Sequence, residues 1–378
     1  MILCEFGPLG GVTLFDNASD LLVARRADEV APVLAAADAA RARGAWVAGY
    51  LGYEAGYAME PRLQALMPAT PGPLVVLGIY AAPQAAGAVL AGAEAARARI
   101  DPLRPGVTRA EYGQAFDRVK TYIAAGDCYQ INLTFPLHSR LTAGSPLDLY
   151  AALQGRQPVG FGAYLDVGTG PALVSRSPEL FVRLSAGGRI EARPMKGTAP
   201  RDPDPVTDAQ LAADLLASDK ARAENLMIVD LLRNDIARIA RVGSVRVPEL
   251  FAIDSFATLH QMSSRITGQL AAPAGLATLM PALFPCGSIT GAPKIRAMQI
   301  IAEVEPAPRG AYCGAIGWMA PDGQAGFSVA IRTASVFAGG AITLNVGGGV
   351  VHDSTAEGEW QEALWKARYA TGLSRGFA

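Results

Sequence analysis

Histidine and cysteine are scarce in this 378-residue chain, and both shortages narrow the chemistry. The three histidines, His138, His260 and His352, have no nucleophile-elbow pattern near them, so nothing supports a Ser-His-Asp hydrolase. The four cysteines, Cys4, Cys128, Cys286 and Cys313, lie far apart without paired spacing. Neither a disulfide framework nor a zinc site is expected from them; reduced thiols in a cytoplasmic protein are. Charge of one sign is lacking too: the formal net charge is −1, too small for the basic field that captures nucleic acid or an anionic membrane. Residues 63–93 carry no charge, but Pro68, Pro71, Pro73 and Pro83 break the stretch. What remains, Leu74 to Tyr80, reads as a buried strand and not as a membrane span. The N-terminus, Met-Ile-Leu-Cys-Glu-Phe-Gly-Pro, has neither the basic start nor the apolar core of a secretory signal. Two glycine-rich stretches also fail as nucleotide sites. Gly287 to Lys294 lacks Walker spacing and is followed by Ile295 where a magnesium-holding Ser or Thr belongs, and Gly310 to Gly317 lacks dinucleotide spacing.

What is present is a globular composition, 51% apolar and 18% charged, long enough for two domains or one large unit. The alanine-rich first hundred residues read as a helix over Asp28 to Arg43 and strands at Ala45 to Leu51 and Leu74 to Tyr80. Glu94 to Gly106, with two prolines, reads as a connection. Thr108-Arg-Ala-Glu111 is a capping box that predicts a helix running to Gly126. Tyr129 to Phe135 then alternates with period two, so one face packs while Gln130, Asn132 and Thr134 could line a polar cavity.

Leu180 to Leu184 and Arg189 to Met195 read as a hairpin turned at Ser185-Ala-Gly-Gly188, with Glu179 at the start of one arm and Lys196 at the end of the other. Helices follow over Asp208 to Ala217 and from Ser218 to about Ala240. On the second, Glu224 heads an apolar face with Ile228, Leu231 and Asp235; an ion there needs a cationic partner or a metal. Strands are predicted around Ala311 to Met319, Gly326 to Ala334 and Ala341 to Val346, interrupted by Gly347-Gly-Gly349. Ser354-Thr-Ala-Glu357 reads as a second capping box, opening a helix with Glu359, Glu362 and Lys366 on one face and an end near Gly372.

From about Thr108 to the C-terminus the chain resembles the chorismate-utilising enzyme family, in particular its aminodeoxychorismate synthase branch. The matching stretches are Asp127 to Leu133, Ser177-Pro-Glu179, Arg193-Pro-Met-Lys-Gly-Thr198, Ala223 to Asp235, Phe284 to Lys294, Ile331-Arg-Thr333 and Gly347 to Gly349. Gly52-Tyr-Glu-Ala-Gly-Tyr57 is similar to the N-terminal part of short family members. The resemblance implies an α+β fold, a two-layer antiparallel β-sandwich-like core flanked by helices. Residues 1–100 are expected to form an N-terminal subdomain packed into the same fold, and residues 101–378 the chorismate-binding catalytic region.

It also implies roles. Glu224 and Glu362, assisted by Glu359, would hold a magnesium ion; Ala221 stands where relatives often carry one more acid. Arg332 would pair with the enolpyruvyl carboxylate, with Tyr312, Gly347 and Gly349 completing that anion site, and Gly197 and Thr198 would line the substrate ring. Lys196 would attack C2 of chorismate while Glu179, as general acid, protonates the departing C4 hydroxyl; anthranilate synthases carry a small residue at the lysine position. Gln130 stands where isochorismate and salicylate synthases have a lysine base that activates water, which argues against water as nucleophile. Relatives with His-Leu-Val-Ser align to Gln261-Met-Ser-Ser264, and His260 is one position early, so no role is carried onto it.

The implied reaction is amination of chorismate to 4-amino-4-deoxychorismate, in the folate and 4-aminobenzoate branch. No cysteine sits in a Gly-x-Cys-x-Gly elbow, so a separate glutamine amidotransferase subunit is the expected ammonia donor. A lyase is not expected within the chain. An anthranilate synthase large subunit, or an inactive chorismate-binding scaffold, remain the alternatives.

Overall fold

A computed structural model describes residues 1–256 and 259–373. Among the described residues the strands form two antiparallel sheets, one of eleven strands and one of ten. The first runs from Gly291–Ala292 through Gln130–Ala143, Ala341–Val350, Thr333–Val336, Ala172–Ser177 and Phe161–Leu165 to Ile2–Cys4, Thr13–Phe15 and Gln84–Ala85. The second runs from Met195–Pro200 through Leu259–Gln269, Arg189–Arg193, Leu180–Leu184, Ala325–Val329 and Ala315–Met319 to Trp46–Leu51, Val75–Tyr80 and Asp20–Ala24. Strands of the first hundred residues thus hydrogen-bond into both sheets. Ile2, Phe15, Ala163 and Leu173 of one sheet bury against Tyr50, Val76, Ile316 and Trp318 of the other, the packing of a sandwich. This is the α+β class the resemblance implied. No described helix is long and apolar enough to cross a membrane.

The chain passes from one sheet to the other by short links at two places, one of them joining Thr13–Phe15 to Asp20–Ala24 and Val75–Tyr80 to Gln84–Ala85; the other lies at the centre of the molecule's chemistry. Ala172–Ser177 belongs to the first sheet and continues through Pro178 and Glu179 into Leu180–Leu184 of the second. Ala325–Val329 of the second continues through Ala330, Ile331 and Arg332 into Thr333–Val336 of the first. The two crossings lie side by side, because each strand of one pairs with a strand of the other. The crossing backbone is tied by Val329 N–H to the Glu179 carbonyl at 3.1 Å and Arg176 N–H to the Arg332 carbonyl at 3.0 Å. The Ser177 hydroxyl adds a bond to the Val329 carbonyl at 2.6 Å.

Helices pack where the sequence gives them caps and apolar faces. In Arg109–Ala124, Glu111 N–H donates to Thr108 Oγ1 and Thr108 N–H to the Glu111 carboxylate, the predicted capping box. The helix Ala356–Lys366 is capped by Thr355 and not by Ser354, whose hydroxyl is instead given to Glu359 at 2.6 Å. It is held by Trp360, which stacks on Phe135 at 4.7 Å between ring centres and meets Tyr112 edge-on at 5.3 Å.

Other expectations are corrected. The hairpin Leu180–Leu184 with Arg189–Arg193 forms, but Pro194 ends its second arm, and Lys196 belongs to a new strand, Met195–Pro200, paired with Leu259–Gln269. Gly347 to Gly349 do not interrupt a strand; they lie inside Ala341–Val350, in unbroken register with Gln130–Ala143. Tyr129 does not share the packed face of its strand and is 69% exposed.

Because Trp360 fixes the helix that carries Glu359 and Glu362, its truncation leaves a large cavity. Trp360→Ala is expected to cost about 3–5 kcal/mol of unfolding free energy, measured by urea titration.

Candidate active site

The crossing point opens onto a cavity of about 990 Å³. Its walls include the crossings themselves, the strand Met195–Pro200, the start of the helix Asp219–Ala237, the glycines of Ala341–Val350, and the helix Ala356–Lys366. Every site residue singled out in the sequence lines it: Lys196, Glu179, Gly197, Thr198, Tyr312, Arg332, Gly347, Gly349, Glu224, Glu359 and Glu362.

Lys196 and Gly197 sit in an irregularity of their strand. Pairing holds at Met195 with Ser263, slips, and resumes at Thr198 with Gln261. Such a bulge redirects side chains out of the regular alternation. Gly197 has φ +85°, and a Cβ there would fall 2.9 Å from that of Ala221. The position therefore needs glycine, with Ala221 packed against it. The Gly197 carbonyl accepts from Gln261 Nε2 at 2.7 Å.

Burial lowers the pKa of Lys196; Glu224, Glu179 and Glu362 oppose that shift, while Lys366 reinforces it. Burial likewise pushes Glu179 up to about 7, against the opposing effects of a hydrogen bond from Ser288 and the charge of Lys196. The Ser288 hydroxyl donates to Glu179 Oε1 at 2.7 Å. One dry environment thus favours the neutral amine and the protonated acid together.

The three glutamates line the same cavity without closing a cage: among the described residues no three acidic, histidine or cysteine side chains are grouped to hold a metal. Lysines stand beside two of them, Lys366 Nζ at 2.8 Å from Glu362 and Lys220 Nζ at 4.0 Å from Glu224. Glu359 Oε2 is buried and unpartnered, and burial raises the pKa of Glu359. For Glu362 burial acts upward, but Lys366, Lys196 and Lys220 together bring the net shift down. An all-oxygen donor set with an orphaned buried carboxylate oxygen fits magnesium, which takes one or two protein carboxylates and completes its shell with water and substrate oxygens.

Arg332, at φ +50°, and Cys313, at φ +61°, are among the few described non-glycine residues in the left-handed region. Their neighbours are locked together by Cys313 N–H to the Ala330 carbonyl and Ala330 N–H to the Gly314 carbonyl, both 2.9 Å. A Cβ on Gly349 would stand 3.1 Å from both Lys196 Nζ and Gln130 Nε2, so this glycine lets the strand approach the amine.

Sequence reasoning missed Ser288, which lies in the matching stretch Phe284 to Lys294 but carried no role of its own there, and Lys366, seen as a helix-face residue. Gln130 is fully buried near Lys196 with neither amide atom bonded. The one-residue offset at His260 matters as expected: Gln261 lines the cavity, whereas His260 points away to Ser255 and Asp208.

A family profile described as chorismate binding enzyme matches residues 6–372. Aminodeoxychorismate synthase component 1 of Escherichia coli (strain K12) is 46% identical over 260 residues, 69% of this chain and 56% of that protein. Anthranilate synthase component 1 of Streptomyces coelicolor is 41% identical over 262 residues, 69% of this chain and 51% of that protein. The matches therefore span about half the length of these curated relatives. The crystal structure of anthranilate synthase component I from Streptococcus pneumoniae superimposes with a TM-score of 0.78 at 23% identity, covering 94% of this chain and 91% of that one.

Since the Ser288 hydrogen bond holds the Glu179 pKa down, Ser288→Ala should raise it above the present value of about 7. A carboxyl-carbon NMR titration of Glu179 reads this shift directly.

Proposed function

The chain belongs to the chorismate binding enzyme family, and we propose that it aminates chorismate to 4-amino-4-deoxychorismate, in the cytoplasm and with ammonia from a separate glutamine amidotransferase subunit. Residues 101–378 are assigned the catalytic region, and residues 1–100 a subdomain packed into the same fold. The observation that carries the reading is a half-buried lysine with a lowered pKa sharing a cavity with a buried carboxyl whose pKa is raised to about 7. A neutral amine is a nucleophile and a protonated carboxyl is a general acid.

Arg332 receives the enolpyruvyl carboxylate with Tyr312 and the backbone of Gly347 and Gly349 around it, and Gly197 and Thr198 flank the ring. Glu224 and Glu362, with Glu359 beside them, would hold magnesium, which supplies charge neutralisation for the ring carboxylate. Lys196 Nζ forms a bond to C2 as the ring double bonds shift and the C4–O bond breaks. Glu179 gives its proton to that oxygen, which leaves as water. Ammonia then bonds to C4, the double bonds shift back, and the C2–N bond breaks to release Lys196. The lysine is the feature that separates this chemistry from amination at C2. The similarity to anthranilate synthase component 1 keeps a second reading, in which the same cleft aminates C2 and loses pyruvate.

Incubation with chorismate, magnesium and an ammonium salt should yield 4-amino-4-deoxychorismate; anthranilate formed without an added lyase would refute the proposal. Lys196→Ala should lose this product by at least a hundredfold while magnesium binding persists. The acid form of Glu179 is present below its pKa and lost above it, so the rate, normalised to free ammonia, should fall as pH rises past about 7. A rate that stays level to pH 9 would contradict the acid role.

A further inference from the structure

Tyr369, on the short helix Arg368–Thr371, lines the catalytic cavity and was not marked by any sequence motif. Its ring packs against the main apolar core, but its hydroxyl oxygen is buried and has no hydrogen-bond partner among the described residues. A buried O–H left unbonded is costly, and in a cavity wall it marks a place where a ligand supplies the missing partner. Arg332 lines the same cavity and, among the described residues, makes no ion pair and no side-chain hydrogen bond.

The two groups are electrostatic neighbours. Burial lowers the pKa of Arg332, and Tyr369 acts on it in the opposite direction. Burial raises the phenol's pKa, while Arg332 and Arg176 work to lower it; the net shift is upward, so the hydroxyl keeps its proton and remains a donor. Arg176 is not free to serve the cavity: it is buried, ion-paired with Glu5, and donates to the Gln157 carbonyl at 2.9 and 3.1 Å. A guanidinium without an anion and a phenol without an acceptor among the described residues therefore stand in the wall of one cavity, close enough to act on each other's charge.

We propose that Tyr369 is a substrate-binding residue, its hydroxyl forming with Arg332 a two-point clamp on a single carboxylate. This rests on the reading that Arg332 receives a substrate carboxylate, and extends it to a residue outside the matching motifs. The guanidinium accepts the anion through paired N–H groups, and the phenol donates to a remaining oxygen lone pair. A carboxylate satisfies both; an ester or amide at that position does not carry the charge that Arg332 requires.

Tyr369→Phe removes the donor and keeps the ring. Thermal-shift titrations of the full chain and of this variant, with chorismate and separately with pyruvate and benzoate as plain carboxylates, test the clamp. Unliganded melting temperatures should be equal or slightly higher in Tyr369→Phe, since the lost hydroxyl was unbonded. Apparent dissociation constants should rise at least fivefold, with KM for chorismate rising in step and kcat nearly unchanged. Equal dissociation constants in the two proteins, or no response of the unaltered chain to any carboxylate, overturn the clamp. A response to pyruvate and benzoate that weakens in Tyr369→Phe, with none to chorismate, upholds the clamp and overturns the chorismate reading.

Discussion

The double strand crossing between the two sheets is the constraint on which the cavity depends. Backbone groups that leave a ladder lose their regular partners and must each be satisfied individually. Here the two crossings satisfy one another, Val329 bonding to Glu179 and Arg176 to Arg332, and Cys313 from outside them bonds to Ala330. The chain is thereby fixed at the two positions whose side chains enter the cavity from opposite crossings. Left-handed backbone at Arg332 and Cys313 is tolerated because these bonds over-determine it, and such strain characteristically collects at functional sites.

The second organising effect is electrostatic, and it acts oppositely on the two central groups. Removing water disfavours the charged form of each, lowering the pKa of Lys196 and raising that of Glu179. Their mutual attraction would restore both charges, yet desolvation is the larger influence on each. A salt bridge would have been chemically inert as nucleophile and acid; the shifts of both groups run toward the neutral forms that those roles need. The lysines beside Glu224 and Glu362 keep the acidic wall balanced without a cation, and the orphaned oxygen of Glu359 is where that balance is incomplete.

Much of this was legible in the sequence where local rules act alone. The capping box at Thr108 to Glu111 and the turn at Ser185 to Gly188 set their elements directly. The motif residues reach one cavity because long matching stretches carried their arrangement with them. Illegible features were those decided by tertiary pairing. Gly347 to Gly349 look like a break by propensity, but pairing with Asn132 to Thr134 keeps them in a strand. Lys196 looked like the end of a hairpin, because a bulge and a change of partner strand leave no local mark. Ser288 and Tyr369 carry no pattern of their own: a serine bonded across 109 positions and a phenol lacking any partner become visible only in three dimensions.

The central claim is that Lys196 acts as a covalent nucleophile, and peptide mass spectrometry tests it most directly. The chain is mixed with chorismate and magnesium, ammonia is withheld, and the reaction is quenched rapidly and digested. A mass increase of chorismate less one water, located on the peptide containing Lys196 and lost when ammonia is added before the quench, is the expected result. No adduct on that peptide under conditions where the same preparation turns chorismate over with ammonia would contradict it.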